Sequence, residues 1–176
     1  EPLIYDTMDD PTFVHELMRF ATEVCKAWGV SVRETGVGLS LGEASASCSV
    51  ISPDIYRQFI QPYQKELVGF FRERKVFMAA HICGYIDPIM EDLIVSGVSS
   101  LSIDSQSSLK TLVEVSKGRI VIIGNVDTGL FVHGSQAEME AAVKECIDTA
   151  AEGSGYVLCS GCQIPVDSDP ARVAHY

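Results

Sequence analysis

The chain has 176 residues, of which 47% are hydrophobic and 21% are charged. This composition is typical of a globular protein with one sizeable core, and no apolar run approaches the ~18 residues of a membrane-spanning helix. The formal net charge of −11, without a basic cluster, would repel a phosphate backbone and argues against nucleic acid as a partner.

The first predicted helix spans residues 11–28. Asp10 and Pro11 are typical of an N-cap and a first-turn proline. Apolar residues then follow helical spacing: Phe13, Leu17, Phe20, Val24 and Trp28. A short strand is predicted next in VGLSLGEAS, with Glu43 at its end.

The second predicted helix begins after Ser52, with Pro53 at its first position. Pro62 is expected to kink this helix or to split it in two. From residue 75 onward strands and helices alternate. Strands are predicted in KVFMAAHIC, VSSLSID, RIVIIGNVD and GYVLCSGC, and helices in DPIMEDLIVSG, SLKTLVEVSKG, SQAEMEAAVKECIDTAAEG and DPARVAHY.

Near-continuous apolar strands between helices predict a parallel sheet that is covered on both faces. Two architectures fit this α/β pattern. One is an open, doubly wound, flavodoxin-like sheet, and the other is part of an eight-stranded (β/α) barrel, which normally needs ~250 residues. The strand count favours the open sheet, whereas a chain that begins and stops within helices favours a piece of a barrel.

Six cysteines occur in a chain too long to need a disulfide framework. Cys25 and Cys146 fall in amphipathic helical patterns, where a buried reduced thiol is expected. The acidic N-terminus has no apolar signal core. Together these features predict a cytoplasmic protein whose cysteines are free or bound to metal.

An H-x-C pattern ends one strand and places His81 and Cys83 on the same face. Both candidate folds bind ligands at this end of the strands. Imidazole and thiolate are good zinc ligands. The pair alone is weak evidence, but a third soft ligand at another strand end strengthens it, and both Cys159 and Cys162 lie at such an end.

The segment CSGC also matches the C-x-x-C motif of redox proteins. That motif should open a helix directly after a strand, whereas Pro165 and VDSD separate it from any helix here. The redox interpretation is therefore disfavoured. Cys159 is expected within the strand as a small core residue, and Cys162, after Gly161, is freer to reach a metal.

Four more polar residues at strand ends have two interpretations each. Asp104 is either a helix cap or an acceptor near the metal, as a fourth ligand or as a hydrogen-bond partner of His81. Asn125 and Asp127 are either turn-formers or substrate contacts. Glu43 carries the same ambiguity.

Several stretches together resemble the uroporphyrinogen decarboxylase superfamily: ISPDIYRQFIQPYQKEL, HICG with DPIMEDLIVSGV, IIGNVDTGLFVHGSQAEMEAAVKECI and LCSGCQIPVDSDPARV. Within it, the H-x-C pair and the later G-C resemble the zinc-dependent methylcobamide:coenzyme M methyltransferases and their bacterial relatives. Decarboxylases lack H-x-C and carry a histidine after the glycine of the second motif. The resemblance covers roughly residues 11–176.

This resemblance implies a parallel (β/α)8 TIM barrel with its site at the C-terminal mouth. The chain, a single domain over residues 1–176, would cover about five βα units of the C-terminal half, as a truncated or partial piece of a larger polypeptide. The remainder of the barrel, or a second chain, would then cover the open strand edges.

The resemblance also implies a zinc site of His81, Cys83 and Cys162, with Asp104 where that branch tends to place an acidic residue. Cys159 matches no ligand of the family. A zinc-bound substrate thiolate, rather than a side chain, would be the nucleophile. It would attack the methyl group of methylcobamide on a separate corrinoid protein, and cob(I)amide would leave. Candidate contacts for the substrate or the corrinoid are Glu43, Tyr85, Asn125 and Asp127.

Three alternatives remain open. One is a metal-free decarboxylase that acts on porphyrinogen acetate side chains. Another is a non-catalytic domain with a closed structural zinc site of His81, Cys83, Cys159 and Cys162. The third is a homologue that keeps the metal but uses another acceptor, since coenzyme M, another thiol and a folate all fit the pattern.

Overall fold

The structure is a computed structural model that describes residues 2–152 and 155–176. Its centre is a five-stranded parallel sheet in the order β1-β2-β3-β4-β5. The strands are β1 (Leu39–Gly42), β2 (Met78–Ile82), β3 (Ser100–Ile103), β4 (Val121–Ile123) and β5 (Tyr156–Val157). Strands in sequential order are typical of a (β/α) barrel, whereas a doubly wound sheet reverses its order at a switch point. The flavodoxin-like alternative is therefore wrong.

Helices connect and flank these strands. They are α1 (Pro2–Asp9), α2 (Pro11–Glu34), α3 (Pro53–Phe59), α4 (Gln61–Glu73), α5 (Met90–Val95), α6 (Leu109–Ser116), α7 (Gly129–His133), α8 (Gln136–Ala150) and α9 (Pro170–His175). Short 3-10 turns lie at Ala44–Ala46 and Asp87–Ile89. Within the described residues, none of the helices has the length and apolar character needed to cross a membrane.

Capping residues set the helix starts as predicted. Asp10 accepts a hydrogen bond from the Phe13 amide at 3.0 Å, and Ser52 accepts one from the Ile55 amide at 3.2 Å. The predicted break near Pro62 is confirmed, because one helix ends at Phe59 and the next begins at Gln61. The last predicted residue of the helix that became α8, Gly153, lies outside the described residues.

The predicted apolar stripe of α2 faces solvent. Phe20 and Trp28 are 68% and 72% exposed. The buried side of the helix contains Val14 and Gly29 instead, and a Cβ at Gly29 would lie 2.3 Å from the Phe71 ring in α4. The helix itself is confirmed, but its buried side lies next to the predicted stripe. Cys25 is exposed, contrary to its prediction, whereas Cys146 is buried as predicted.

The two faces of the sheet differ in cover. The helix-covered face carries residues that are at most 1% exposed: Ala80, Ile82, Leu101, Ile103 and Ile122. On the opposite face Val121 is 37% exposed and Val157 is 49% exposed. The described helices of this chain therefore cover one face of the sheet and leave the other uncovered. The less covered side is called the open face below.

Candidate metal centre

Three side chains from two strand ends converge at the open face. His81 and Cys83 come from the end of β2, and Cys162 comes from the loop after β5. Cys83 Sγ lies 3.3 Å from His81 Nε2 and 3.5 Å from Cys162 Sγ. Cys162 Sγ lies 3.7 Å from His81 Nε2. These three residues are called the His-Cys-Cys cluster.

The donor set and spacing of the His-Cys-Cys cluster fit a zinc ion. Two sulfurs and one imidazole nitrogen are soft ligands of the kind zinc prefers. Their separations are close to the edges of a tetrahedron with metal–sulfur bonds of about 2.3 Å and metal–nitrogen bonds of about 2.1 Å. The three groups are half-buried, so an ion held there would remain accessible on one side.

The electrostatics of the His-Cys-Cys cluster also favour a cation. Burial, followed by the neighbouring Cys162 thiol, raises the pKa of Cys83 above its ordinary value. Two thiolates whose sulfurs are 3.5 Å apart would repel each other, and a positive charge beside both would offset that repulsion. A divalent cation would supply that charge and displace both protons.

The strand pairing aligns His81 with a serine that the sequence analysis missed. His81 and Ser102 are register partners in β2 and β3, and Ser102 Oγ lies 3.0 Å from His81 Nδ1. The sequence pattern that indicates this position of Ser102 lies in SLSID, where Ser100, Ser102 and Asp104 alternate with apolar residues. Period-two alternation puts these three polar side chains on one face.

Asp104 contacts the backbone beside the cluster. Its carboxylate accepts hydrogen bonds from the Gly84 amide at 3.0 Å and from the Gln106 amide at 3.2 Å. Among the described residues it falls outside the set whose ligand atoms all lie within 4.8 Å of one another. The helix-cap alternative for Asp104 is wrong, because Ser108 is the N-cap of α6.

Side chains from two loops hold the segment 84–86, which follows His81 and Cys83. The Ser107 hydroxyl donates a hydrogen bond to the Gly84 carbonyl at 2.8 Å and accepts one from the Ile86 amide at 3.0 Å. Ser49 Oγ accepts from the amide of Tyr85 at 3.0 Å. The Tyr85 side chain is 42% exposed, so it remains available for an outside contact.

Asp127 makes a local contact that corresponds to the turn-forming alternative, whereas the Asn125 side chain contacts a distant loop instead of its own turn. Asn125 Nδ2 donates to the carbonyls of Asp104 at 3.1 Å and Ser107 at 2.9 Å, which ties the end of β4 to the loop after β3. Asp127 accepts from the Gly129 amide at 2.8 Å, where α7 begins. Neither side chain belongs to the His-Cys-Cys cluster.

Glu43 lies on the helix-covered face. It is two residues beyond Leu41, which packs against the core, and residues two apart on a strand share a face. Its carboxylate accepts a hydrogen bond from Gln64 of α4, which accepts one from the Tyr56 hydroxyl. Burial raises the pKa of Glu43, and the bond from Gln64 opposes that shift. Glu43 therefore points away from the cluster.

Cys159 lies in the loop after β5, because that strand ends at Val157. Its predicted position inside the strand is therefore wrong. Among the described residues Cys159 is not part of the group of ligand atoms within 4.8 Å of one another. The described residues therefore do not form the alternative zinc site in which Cys159 would be a fourth ligand beside His81, Cys83 and Cys162.

The sequence is similar to one protein family and to individual proteins of known activity. The family model described as Uroporphyrinogen decarboxylase (URO-D) matches residues 2–176. The methylcobamide:CoM methyltransferase MtbA of Methanosarcina mazei is 29% identical over 153 residues, which cover 86% of this chain and 44% of that protein. A uroporphyrinogen decarboxylase of Acinetobacter baumannii is 37% identical over 86 residues, which cover 47% of this chain and 24% of that protein.

A solved structure gives the same picture of the fold. A methyltransferase from Methanosarcina mazei superposes with a TM-score of 0.78 at 23% identity, over 98% of this chain and 51% of that chain. The superposition confirms the predicted partial barrel. The chain thus spans about half the length of the relatives it matches.

Proposed function

The chain belongs to the uroporphyrinogen decarboxylase (URO-D) family, and from this premise we propose that it carries the metal site of a methyltransferase. In the proposed reaction a methyl group passes from a methylated corrinoid protein to a small thiol such as coenzyme M. The observation that carries the proposal is the convergence of ligand atoms from His81, Cys83 and Cys162 within 4.8 Å of one another.

Family membership alone does not select methyl transfer, because decarboxylases share the family. Two observations support the choice. The similarity to the methylcobamide:CoM methyltransferase covers 86% of this chain, whereas the similarity to the decarboxylase covers 47%. The His-Cys-Cys cluster is a second, independent reason, because a metal-free decarboxylase has no use for a soft metal site.

We assign zinc to the cluster, with His81 Nε2, Cys83 Sγ and Cys162 Sγ as its ligands. When bound, the ion would supply the Lewis acidity that lowers the pKa of a substrate thiol. The two cysteine thiolates and the neutral imidazole would balance its charge and leave a fourth position for the substrate. Asp104 would support this arrangement through the Gly84 amide.

The C-terminal ends of the strands would give the proposed partner a place to approach. His81 and Cys83 lie at the C-terminal ends of the strands, where ligands bind in parallel barrels. The exposed Tyr85 lies beside them and is the remaining candidate for a contact with the substrate or the corrinoid. A methyl donor on a separate protein would enter from this side.

Metal content measured by elemental analysis tests the site. Wild-type protein should contain close to one zinc per chain, and Cys162→Ser should lose it. Cys159→Ser is the matched control, because it removes a thiol from the same loop but outside the cluster. Zinc lost from both variants would indicate a closed structural site, and zinc absent from all three proteins would overturn the assignment.

Transfer of methyl groups from methylcobalamin to coenzyme M tests the chemistry. Wild-type protein should catalyse the transfer, and Cys83→Ser should lose zinc and transfer together. A Cys83→Ser protein that keeps both would contradict the proposal. Removal of carboxyl groups from uroporphyrinogen by the same wild-type protein would instead support the decarboxylase alternative, which the 37% identity over 86 residues favours.

A further inference from the structure

We infer that Ser102 orients His81 for metal binding, by accepting a hydrogen bond from Nδ1–H and so leaving Nε2 as the ligand nitrogen. The inference rests on the proposed metal site and adds to it a positioning residue that does not touch the metal.

The backbone brings the two side chains together. Residues 81 and 102 are register partners in adjacent parallel strands, so their side chains leave the sheet on the same face. Ser102 Oγ lies 3.0 Å from His81 Nδ1, which is an ordinary hydrogen-bond distance. The contact is half-buried, so water competes with it less than it would at a fully exposed site.

The two nitrogens of His81 have different neighbours. Nε2 faces both thiols, at 3.3 Å from Cys83 Sγ and 3.7 Å from Cys162 Sγ. Nδ1 faces only a hydroxyl among the hydrogen bonds of the described residues. A neutral imidazole carries one proton, and the nitrogen that binds a metal must be the unprotonated one. The proton therefore belongs on Nδ1, and Ser102 Oγ is its acceptor.

A hydroxyl is well matched to this site because it accepts a hydrogen bond without adding charge. Two thiolates already balance a divalent cation, so a carboxylate at position 102 would make the site negative. Ser102 would thus fix the tautomer and the ring orientation while it leaves the net charge unchanged. A negative net charge would weaken the binding of an anionic substrate thiolate.

Two residues at the end of β3 contact the segment that carries His81 and Cys83. Ser102 contacts the imidazole of His81, and two residues later Asp104 contacts the amide that follows Cys83, at 3.0 Å. Ser102 therefore contacts the imidazole directly, whereas Asp104 holds the backbone next to Cys83. Hydrogen-bonding partners of this kind typically change metal affinity by ~10- to 100-fold when they are removed.

Zinc affinity, measured by competition with a chromophoric chelator, tests the role of Ser102. Ser102→Ala should bind zinc ~10-fold or more weakly than wild type, and Ser102→Thr, which keeps the hydroxyl, should recover most of the affinity. Ser100→Ala is the matched control. Ser100 lies on the same strand and face as Ser102, but its register partner is Ala79. Its affinity should equal that of wild type.

A spectroscopic readout separates orientation from a general loss of structure. In the zinc-loaded protein, long-range ¹H–¹⁵N spectra should show a slowly exchanging Nδ1–H of His81 in wild type and in Ser100→Ala. That signal should broaden or disappear in Ser102→Ala, while thermal unfolding of the two metal-free variants stays similar.

The outcomes distinguish this inference from the function on which it rests. Equal zinc affinities for Ser102→Ala and Ser100→Ala would overturn the role of Ser102 and leave the metal site standing. Failure of wild-type protein to bind zinc would overturn the metal site and, with it, the role of Ser102. Zinc binding through Nδ1 would overturn only the tautomer assignment and the role built on it.

Discussion

Gly84 follows Cys83 of the His-Cys-Cys cluster and tolerates few other residue types. Its φ of +75° lies in the left-handed region, which side chains other than glycine rarely adopt. A Cβ at this position would lie 2.8 Å from the hydroxyl oxygens of Ser47 and Ser49. Both serines hydrogen-bond the backbone of Tyr85, so an added methyl group would disturb the support of the segment.

We therefore expect Gly84→Ala to lower the free energy of unfolding by about 1–3 kcal/mol and to weaken zinc binding. Urea unfolding and chelator competition measure the two effects. Gly69→Ala is the control, because Gly69 lies in α4 and open space surrounds its Cβ position. That variant should be more stable than wild type by up to about 1 kcal/mol, since alanine favours a helix. Equal effects of the two substitutions would contradict this reasoning.

Individual residues of the site were predictable to different degrees. The shared face of His81 and Cys83 follows from strand periodicity alone. The same periodicity would have placed Glu43 with Leu41 on the helix-covered face, but its position at the end of a strand suggested the mouth of the barrel. The partner of Asp104, the Gly84 amide, depends on how two loops meet, and the sequence carries no local signal for that contact.

At the scale of elements, α8 begins with a reciprocal capping box. Ser135 Oγ accepts from the Glu138 amide at 3.3 Å, and the Glu138 carboxylate accepts from the Ser135 amide at 2.8 Å. The bond from the Ser135 backbone, followed by that from its hydroxyl, lowers the pKa of Glu138. Two of the free amides at the start of the helix are satisfied in this way.

We expect Ser135→Ala to lower the free energy of unfolding by about 1 kcal/mol in urea melts at neutral pH. Because the pKa of Glu138 is lowered in the folded chain, its charge stabilises the fold above the pKa of an unfolded glutamate. That contribution is lost as the pH falls through the folded pKa. Wild type and Glu138→Gln should therefore differ near pH 7 and converge as the pH falls below the folded pKa of Glu138. A constant difference across this range would rule out the charge as its source.

The helix α2 shows what periodicity leaves open. Its length, its N-cap and its helical spacing followed from the sequence, but its buried side did not. Gly29 packs closely against Phe71, and this contact fixes the rotation of α2, although glycine adds nothing to a hydrophobic pattern. The helices α1 and α7, with eight and five residues, were not predicted from the sequence.

For the whole molecule, the net charge of −11 implies repulsion among surface carboxylates. Salt shortens the range of this repulsion from ~30 Å at 0.01 M to ~10 Å at 0.1 M. We expect the melting temperature, followed by circular dichroism with EDTA present, to rise by a few degrees between 0.01 and ~0.5 M NaCl.

A variant with fewer acidic groups provides the control for this salt effect. The double substitution Glu16→Gln and Glu114→Gln removes two exposed carboxylates and should reduce the rise. A melting temperature that falls with added salt in wild type would show that favourable ion pairs outweigh the repulsion. The pairs Arg119–Glu91 and Lys26–Glu66, both at 2.5 Å, would then be the first to test.

The alternation of strands and helices along the chain could be predicted from the sequence. The sequential order of strands could not be predicted, because the barrel and the open sheet share that alternation. The similarity in sequence to a known family decided between them, and the strand order agrees. The open face could not be predicted from apolar strands such as RIVIIGNVD, because apolar residues on both sides indicate cover without saying what provides it.

The His-Cys-Cys cluster joins residues that are 79 positions apart in the chain, Cys83 and Cys162. During synthesis on a ribosome, His81 and Cys83 emerge long before the third donor. A nascent chain that ends at β4 therefore has two of the three donors, and the set is complete only after β5 has paired with β4. Occupancy of the proposed site would consequently require that β5 has paired with β4, so metal content would distinguish chains with this pairing from folding intermediates without it.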